Sequence, residues 1–225
     1  MEIKYLGHAS FLVDIDGINI LFDPFIKDNP LASEIDINNI RADFILISHG
    51  HDDHIADAVS IAKQTNAMII SNFELANYFI SKGIENTHGL NTGGEWEFAF
   101  GTVKFVYAAH SNQLPNGLYG GQAGGFLIKT PSKNFYYAGD TGLTMDMQLL
   151  QNDKLDFAFL PIGGNYTMDV KDALLASDFI KCDKIIGMHY DTFAHITIDD
   201  KSAISLFENE KKELILPEIG KTFNV

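Results

Sequence analysis

One six-residue stretch constrains this chain more than any other. His49-Gly50-His51-Asp52-Asp53-His54 directly follows the apolar, strand-like run Phe44-Ile45-Leu46-Ile47-Ser48. In extended backbone, residues two apart face the same side, so His49 and His51 can grip one ion. Asp53 and His54 fall where the chain turns toward a helix read from Ile55 to Thr65, and there they reach a second ion about 3.5–4 Å from the first. The chain must therefore supply a strand, a loop and a helix start in that order, and the loop predicts a centre for two divalent metals.

Size and charge bound the rest. With 225 residues, 46% of them hydrophobic, the chain reads as one large domain that buries roughly 70–75% of its unfolded surface. The single Cys182 excludes an internal disulfide, and its apolar neighbours Phe179-Ile180 and Ile185-Ile186 mark it as a buried thiol. Met1-Glu2-Ile3-Lys4-Tyr5 lacks the basic start and apolar run of a leader, and no apolar run approaches spanning length. These features read as a soluble cytoplasmic protein with no membrane partner. Sixteen basic against thirty acidic residues give a formal charge of −14, a poor field for a long polyanion. Long nucleic acid is excluded as a partner and a small-molecule substrate is expected, while homo-oligomer formation stays open.

Along the chain, Phe11–Ile15 and Ile18–Phe22 read as strands joined by an Asp16-Gly17 hairpin turn, and Asp23-Pro24 stops the second. Met68–Ile70 and a helix over Phe73–Lys82 repeat the strand-then-helix order. After Gly93-Gly94 the pattern returns to strands at 95–100 and 103–108, ending at His110. Ser111 to Gly125 reads as a glycine-rich, flexible rim. Strands at 126–128, 135–138, 157–160, 184–188 and finally 214–216 alternate with helices at 145–151, 169–181 and 201–209, the last opened by a capping box at Thr197-Ile198-Asp199-Asp200. The order predicts two similar halves packed face to face.

His110, Asp140 and His189 each follow an apolar, strand-like run, so they project from strand ends toward one edge. His110 then completes a site with His49 and His51, His189 joins Asp53 and His54, and Asp140 can bridge. This all-nitrogen-and-oxygen set suits Zn²⁺ first and Mn²⁺ second. A water between two such ions has a pKa near 7 or below, so hydroxide is available at neutral pH, and Asp53 or Asp140 can orient it and take its proton. No nucleophile elbow or phosphate-binding glycine loop competes with this chemistry.

These residues resemble the metallo-β-lactamase superfamily. Tyr5-Leu6-Gly7-His8, Phe22-Asp23-Pro24, Asn91-Thr92-Gly93-Gly94, Pro161-Ile162-Gly163-Gly164 and Met188-His189-Tyr190 extend the likeness to a group of metal-dependent hydrolases similar to ascorbate-6-phosphate lactonase. The resemblance implies an αββα four-layer sandwich over residues 1–225, with two β-sheets flanked by helices. It assigns His49, His51 and His110 to one metal, Asp53, His54 and His189 to the other, and Asp140 to both. A bridging carboxylate weighs against antibiotic hydrolysis as the native role.

Other polar residues have competing explanations. His8 can face the pocket or make a structural hydrogen bond, and it is not counted as a ligand. Asp23 ends a strand before proline and is expected to steady the metal loop. Asn165, Tyr166 and Thr167 follow a glycine pair and can contact substrate, although loop polarity explains them equally well. His88 and His195 sit among turn-like residues, and Phe135-Tyr136-Tyr137 reads simply as core strand. Together the residues predict a dinuclear metal hydrolase, using a metal-bound hydroxide, for a small ester, lactone or phosphate-bearing metabolite. The alternatives are a phosphodiesterase acting on short or cyclic nucleotides, or a non-catalytic metal-binding sensor or scaffold.

Overall fold

The computed structural model describes residues 1–225 and stacks two seven-stranded sheets. The first holds β1 (Glu2–Gly7), β2 (Ser10–Ile15), β3 (Ile18–Phe22), β4 (Phe44–Leu46), β5 (Met68–Asn72) and β6 (Thr87–Leu90). The second holds β7 (Glu95–Phe98), β8 (Gly101–Tyr107), β9 (Gly124–Lys129), β10 (Asn134–Tyr137), β11 (Phe157–Pro161), β12 (Lys184–Met188) and β13 (Glu213–Ile215). The chain then returns to the first sheet, where β14 (Thr222–Asn224) pairs antiparallel with β1. The helices are α1 (Asp52–Ile55), α2 (Ala58–Thr65), α3 (Phe73–Ser81), α4 (Val170–Ile180) and α5 (Asp200–Asn209). Two mixed sheets flanked by helices form the αββα sandwich.

Strand direction is what gathers the polar strand ends. In the first sheet β1 and β3 both run antiparallel to β2, and β4 is parallel to β3, so these three point the same way. In the second, β8 and β10 both run antiparallel to β9, while β11 and β12 continue parallel to β10. The residues that follow β1, β3, β4, β8, β10 and β12 are thereby delivered to one edge. Parallel strands covered on both faces must be apolar throughout, and β11 is buried at every position.

Aromatic side chains fill the space between the sheets. Phe22 stacks on Tyr137 at 4.5 Å between ring centroids and Phe11 meets Phe159 at 4.6 Å, each contact joining one sheet to the other. A second cluster, including Ile45, Ile61, Ile69 and Phe79, seals α2 and α3 onto the outer face of the first sheet. The Asp16-Gly17 turn adopts positive φ at both residues, 53° and 86°, as a tight hairpin requires.

Several elements differ from the sequence-based expectation. The helix expected from Ile55 to Thr65 is two helices, because the Asp57 carboxylate accepts the backbone N–H groups of Ile26 and Lys27 and its own N–H reaches Pro24. Met145–Leu150 is a 3₁₀ helix. The capping box is absent: α5 starts one residue earlier than expected, and Asp199 alone caps it by accepting from Ser202 N–H. Gly124 and Gly125 belong to β9, where a Cβ on Gly125 would strike the Tyr137 and Ala138 carbonyls. Strands β6 and β14 were not foreseen, since both are short and gain their pairing only from a neighbour distant in sequence or from the fold's closure. No helix is long and apolar enough to cross a membrane.

Candidate metal centre

His49 and His51 leave the end of β4, and Asp53 and His54 lie inside α1. His110 follows β8, Asp140 follows β10 and His189 follows β12. The fold brings all seven of these residues together. The ring donors of His49, His51 and His110 form one group and the donors of His8, Asp53, His54 and His189 another, with all atoms within each group inside 4.8 Å of one another. His49 Nε2 and His51 Nδ1 are 3.0 Å apart. Asp140 touches both groups: its Oδ1 is 3.3 Å from His54 Nε2, and its Oδ2 is 3.5 Å from His110 Nε2 and 3.0 Å from His189 Nε2.

These separations test whether the residues fit metal. Four donors around an ion at about 2.0–2.1 Å stand roughly 3.3 Å from each other, which is the range seen. His54 Nε2, Asp140 Oδ1 and His189 Nε2 are buried without a hydrogen-bond partner. Buried polar atoms without partners are costly, and these three face a common space. The donor set therefore fits divalent ions.

The surrounding groups hold the donors in place. Asp23 Oδ2 receives His54 Nδ1–H at 2.8 Å, the Tyr137 hydroxyl at 2.8 Å and the Ser48 hydroxyl at 2.5 Å, while Oδ1 accepts Ser48 N–H at 2.8 Å. With these oxygens occupied, Asp23 acts on His54 by fixing its tautomer and leaves Nε2 free for the site. Asn112 accepts Gly50 N–H at 2.7 Å and donates to the Gly120 carbonyl at 2.7 Å, tying the metal loop to the glycine-rich rim. Asn72 caps α3 and also donates to the Gly120 and Gln122 carbonyls.

Electrostatics follow from burial and partners. Burial lowers His49, and the neighbouring His54 lowers it further, so its ring is neutral and able to ligate. At His54 burial opposes the charged ring, but the carboxylates of Asp140 and Asp23 outweigh it and hold the group well above its usual value. Burial would raise Asp140, yet His189 and His54 keep it well below the carboxylate range. Asp53 is likewise lowered: the hydrogen bond from His8 and the charge of His54 overcome desolvation. The site is an ionised pair of carboxylates among imidazoles, a setting that calls for cations.

His8 is fully buried, with Nε2 3.2 Å from Asp53 Oδ2 and Nδ1 3.0 Å from Thr192 Oγ1. Burial presses its pKa down to about 4 against the pull of Asp53, so the ring is neutral at neutral pH. An ionised carboxylate only accepts, hence Nε2–H donates to Asp53 and Nδ1 accepts from Thr192. His8 thus makes structural hydrogen bonds beside the second donor group.

Sequence reasoning missed Ser48, Tyr137, Asn112 and Thr192. Tyr137, read as plain core strand, carries a hydroxyl that donates to Asp23 and to the Ala9 carbonyl, because β10 crosses beneath the end of β3. The only available signal was adjacency, since Ser48, Asn112 and Thr192 lie within three residues of a donor histidine. The remaining polar residues named from the sequence lie outside the two donor groups. Asn165 is exposed in a turn with φ of 55°, and Thr167 donates to the Met168 carbonyl at 3.4 Å. His195 is exposed on the 3₁₀ turn Ala194–Ile196, and His88 packs between Trp96 and Phe98.

The β-lactamase superfamily domain matches residues 2–189. A UPF0173 metal-dependent hydrolase of Flavobacterium johnsoniae is 51% identical, with 100% of both chains aligned. Another, from Methylacidiphilum infernorum, is 45% identical over 94% of each chain. The solved structure of Igni18, a metallo hydrolase from the hyperthermophilic archaeon Ignicoccus hospitalis, superposes with a TM-score of 0.89 at 33% identity, covering 100% of this chain and 98% of its own. An isothiocyanate hydrolase from Delia radicum gut bacteria, at 19% identity and a TM-score of 0.82, with 100% and 99% coverage, shares the fold. Sequence, architecture and donor arrangement agree that the chain belongs to the metallo-β-lactamase superfamily, among its metal-dependent hydrolases.

Proposed function

We propose that this protein uses two divalent ions, Zn²⁺ in preference to Mn²⁺, to hydrolyse a small ester, lactone or phosphate-bearing metabolite. One observation carries the reading: Asp140 lies within 3.0–3.5 Å of imidazoles from both donor groups, so a single carboxylate can serve two ions. His49, His51 and His110 would hold the first, Asp53, His54 and His189 the second, with Asp140 shared. Bound ions of this kind lower the pKa of water and polarise a substrate oxygen.

The chain's own residues supply the remainder. Asp53, whose Oδ2 accepts from His8 and lies 3.9 Å from His189 Nε2, can orient a water and accept its proton. His8 cannot swing away, because Thr192 fixes its far nitrogen and its carbonyl accepts both His189 N–H and the Tyr5 hydroxyl. Asp23 keeps His54 in the tautomer that presents Nε2. No serine or cysteine nucleophile is needed, and Cys182 is buried elsewhere in the core. The test is metal-dependent hydrolysis of activated esters, lactones and phosphodiesters near neutral pH. Absence of turnover by fully loaded protein across that panel would favour a sensor or scaffold.

A further inference from the structure

The loops that surround the donors have a one-sided chemistry. Residues 48–57, 108–123, 138–144, 162–169 and 189–198, which carry the seven donors, contain no lysine or arginine, although the chain has 16 such residues, Lys27 and Arg41 among them in the loop after β3. Phosphate recognition draws on these cations or on free helix N-termini. Of the helices of eight or more residues, α3, α4 and α5 are closed by their own side chains, Asn72, Asp169 and Asp199, while the N-cap of α2 is Asp57, whose carboxylate accepts from Ile26 and Lys27 instead.

Among its polar residues the rim presents two exposed side chains with large apolar surface. A cavity of about 520 Å³ is lined by His51 and His110 of the first donor group and by Leu118 and Tyr119. Leu118 and Tyr119 are 63% and 70% exposed, a costly display of apolar surface unless something covers it. The amide nitrogens that line the same cavity donate to backbone carbonyls. Gln122 donates to the Ala108 and Ala123 carbonyls, Gln113 to Gly117 and Asn112 to Gly120. On the side of the second donor group, Phe193 stands 5.5 Å from His8 and 6.4 Å from Phe25, ring to ring, and is 39% exposed.

We infer that the pocket takes an uncharged ester or lactone bearing an apolar acyl or alkyl group, which lies against Leu118 and Tyr119, and that it discriminates against phosphorylated molecules. This rests on the hydrolase reading above and narrows it. In the reaction a bond forms between the water oxygen and the carbonyl carbon, the acyl C–O bond breaks, and the alkoxide oxygen takes the proton that the water gives up. It becomes an alcohol, which departs from an ester and stays within the opened product of a lactone. Selectivity arises because an apolar group gains from covering the exposed rim, whereas a phosphate dianion would lose hydration with no lysine or arginine in the donor-bearing loops to replace it.

The experiment compares para-nitrophenyl butyrate, acetate and phosphate on metal-loaded protein, together with Leu118→Ala and Tyr119→Ala variants checked for unaltered melting. Expected are a kcat/KM for butyrate about 100-fold or more above that for phosphate, and a KM for butyrate that rises about 3–30-fold in Tyr119→Ala, more than for acetate. Phosphate turned over as well as or better than butyrate would overturn the inference while leaving the hydrolase reading intact. An unmoved KM for butyrate in both variants would overturn the placement of the apolar group. No turnover of any probe would overturn the hydrolase reading and the inference with it.

Discussion

His54 Nδ1 and the Asp23 carboxylate stand 2.8 Å apart where neither side chain is exposed to solvent. Asp23 reached that position from the end of a different strand, with φ at 39° in the left-handed region, and it collects Ser48 and Tyr137 at the same time. One carboxylate thus orients a metal-facing imidazole, the turn that leads to His49, and the contact between the two sheets.

Asp23→Ala should therefore weaken metal binding by about 10–100-fold, because Asp23 accepts from His54 Nδ1–H and so orients that ring. Tyr137→Phe, which removes one donor to the same carboxylate, should have a smaller effect. Competition with a chromogenic chelator measures both, and equal affinities in wild type and Asp23→Ala would refute the orienting role.

Reconstituted protein should hold about two ions per chain, because the seven donors exceed the four that one tetrahedral site uses. Asp140→Ala should weaken both ions, whereas His110→Ala should chiefly affect one. Elemental analysis and stepwise titration distinguish the cases, and single-site losses from both substitutions would show that Asp140 does not bridge.

Removal of metal by a chelator should abolish hydrolysis, and Asp53→Asn should lower kcat by about 100-fold or more. His195→Ala, on an exposed turn and in neither donor group, should stay within about twofold of wild type. Steady-state kinetics on one ester decides it, and full activity in Asp53→Asn would remove that residue from the mechanism.

Burial raises the Cys182 thiol to about 11, so the folded protein keeps it protonated at neutral pH. The sign follows: this preference stabilises the fold fully below the usual thiol value of 9.0 and is lost as pH climbs toward about 11. Native protein should resist alkylation at pH 8 and react once unfolded, as read by mass spectrometry. Rapid modification of folded protein would contradict the burial.

Phe22→Ala should cost about 3–5 kcal/mol of stability, since the ring packs against Phe126, Phe135, Tyr137 and Phe159 between the sheets. Denaturant unfolding measures this loss, and a cost below about 1 kcal/mol would show that the inter-sheet aromatic cluster is not a principal source of stability.

The sequence by itself determined the local elements that carry the donors. His49 to His54 had to leave an apolar strand and enter a helix, and His110, Asp140 and His189 each had to end a strand, because apolar runs and turn residues are short-range signals. The tertiary structure decided what those ends meet. No periodicity shows that β10 carries Tyr137 under Asp23, that Asp57 interrupts a helix by binding the amides of Ile26 and Lys27, or that His8 spans from Thr192 to Asp53. Each is a contact between residues 30 or more apart in the chain, and its partner is chosen by strand direction and sheet packing. The same reason explains why β6 and β14 went unseen: an edge strand has little signal of its own and is stabilised by the neighbour that the fold provides.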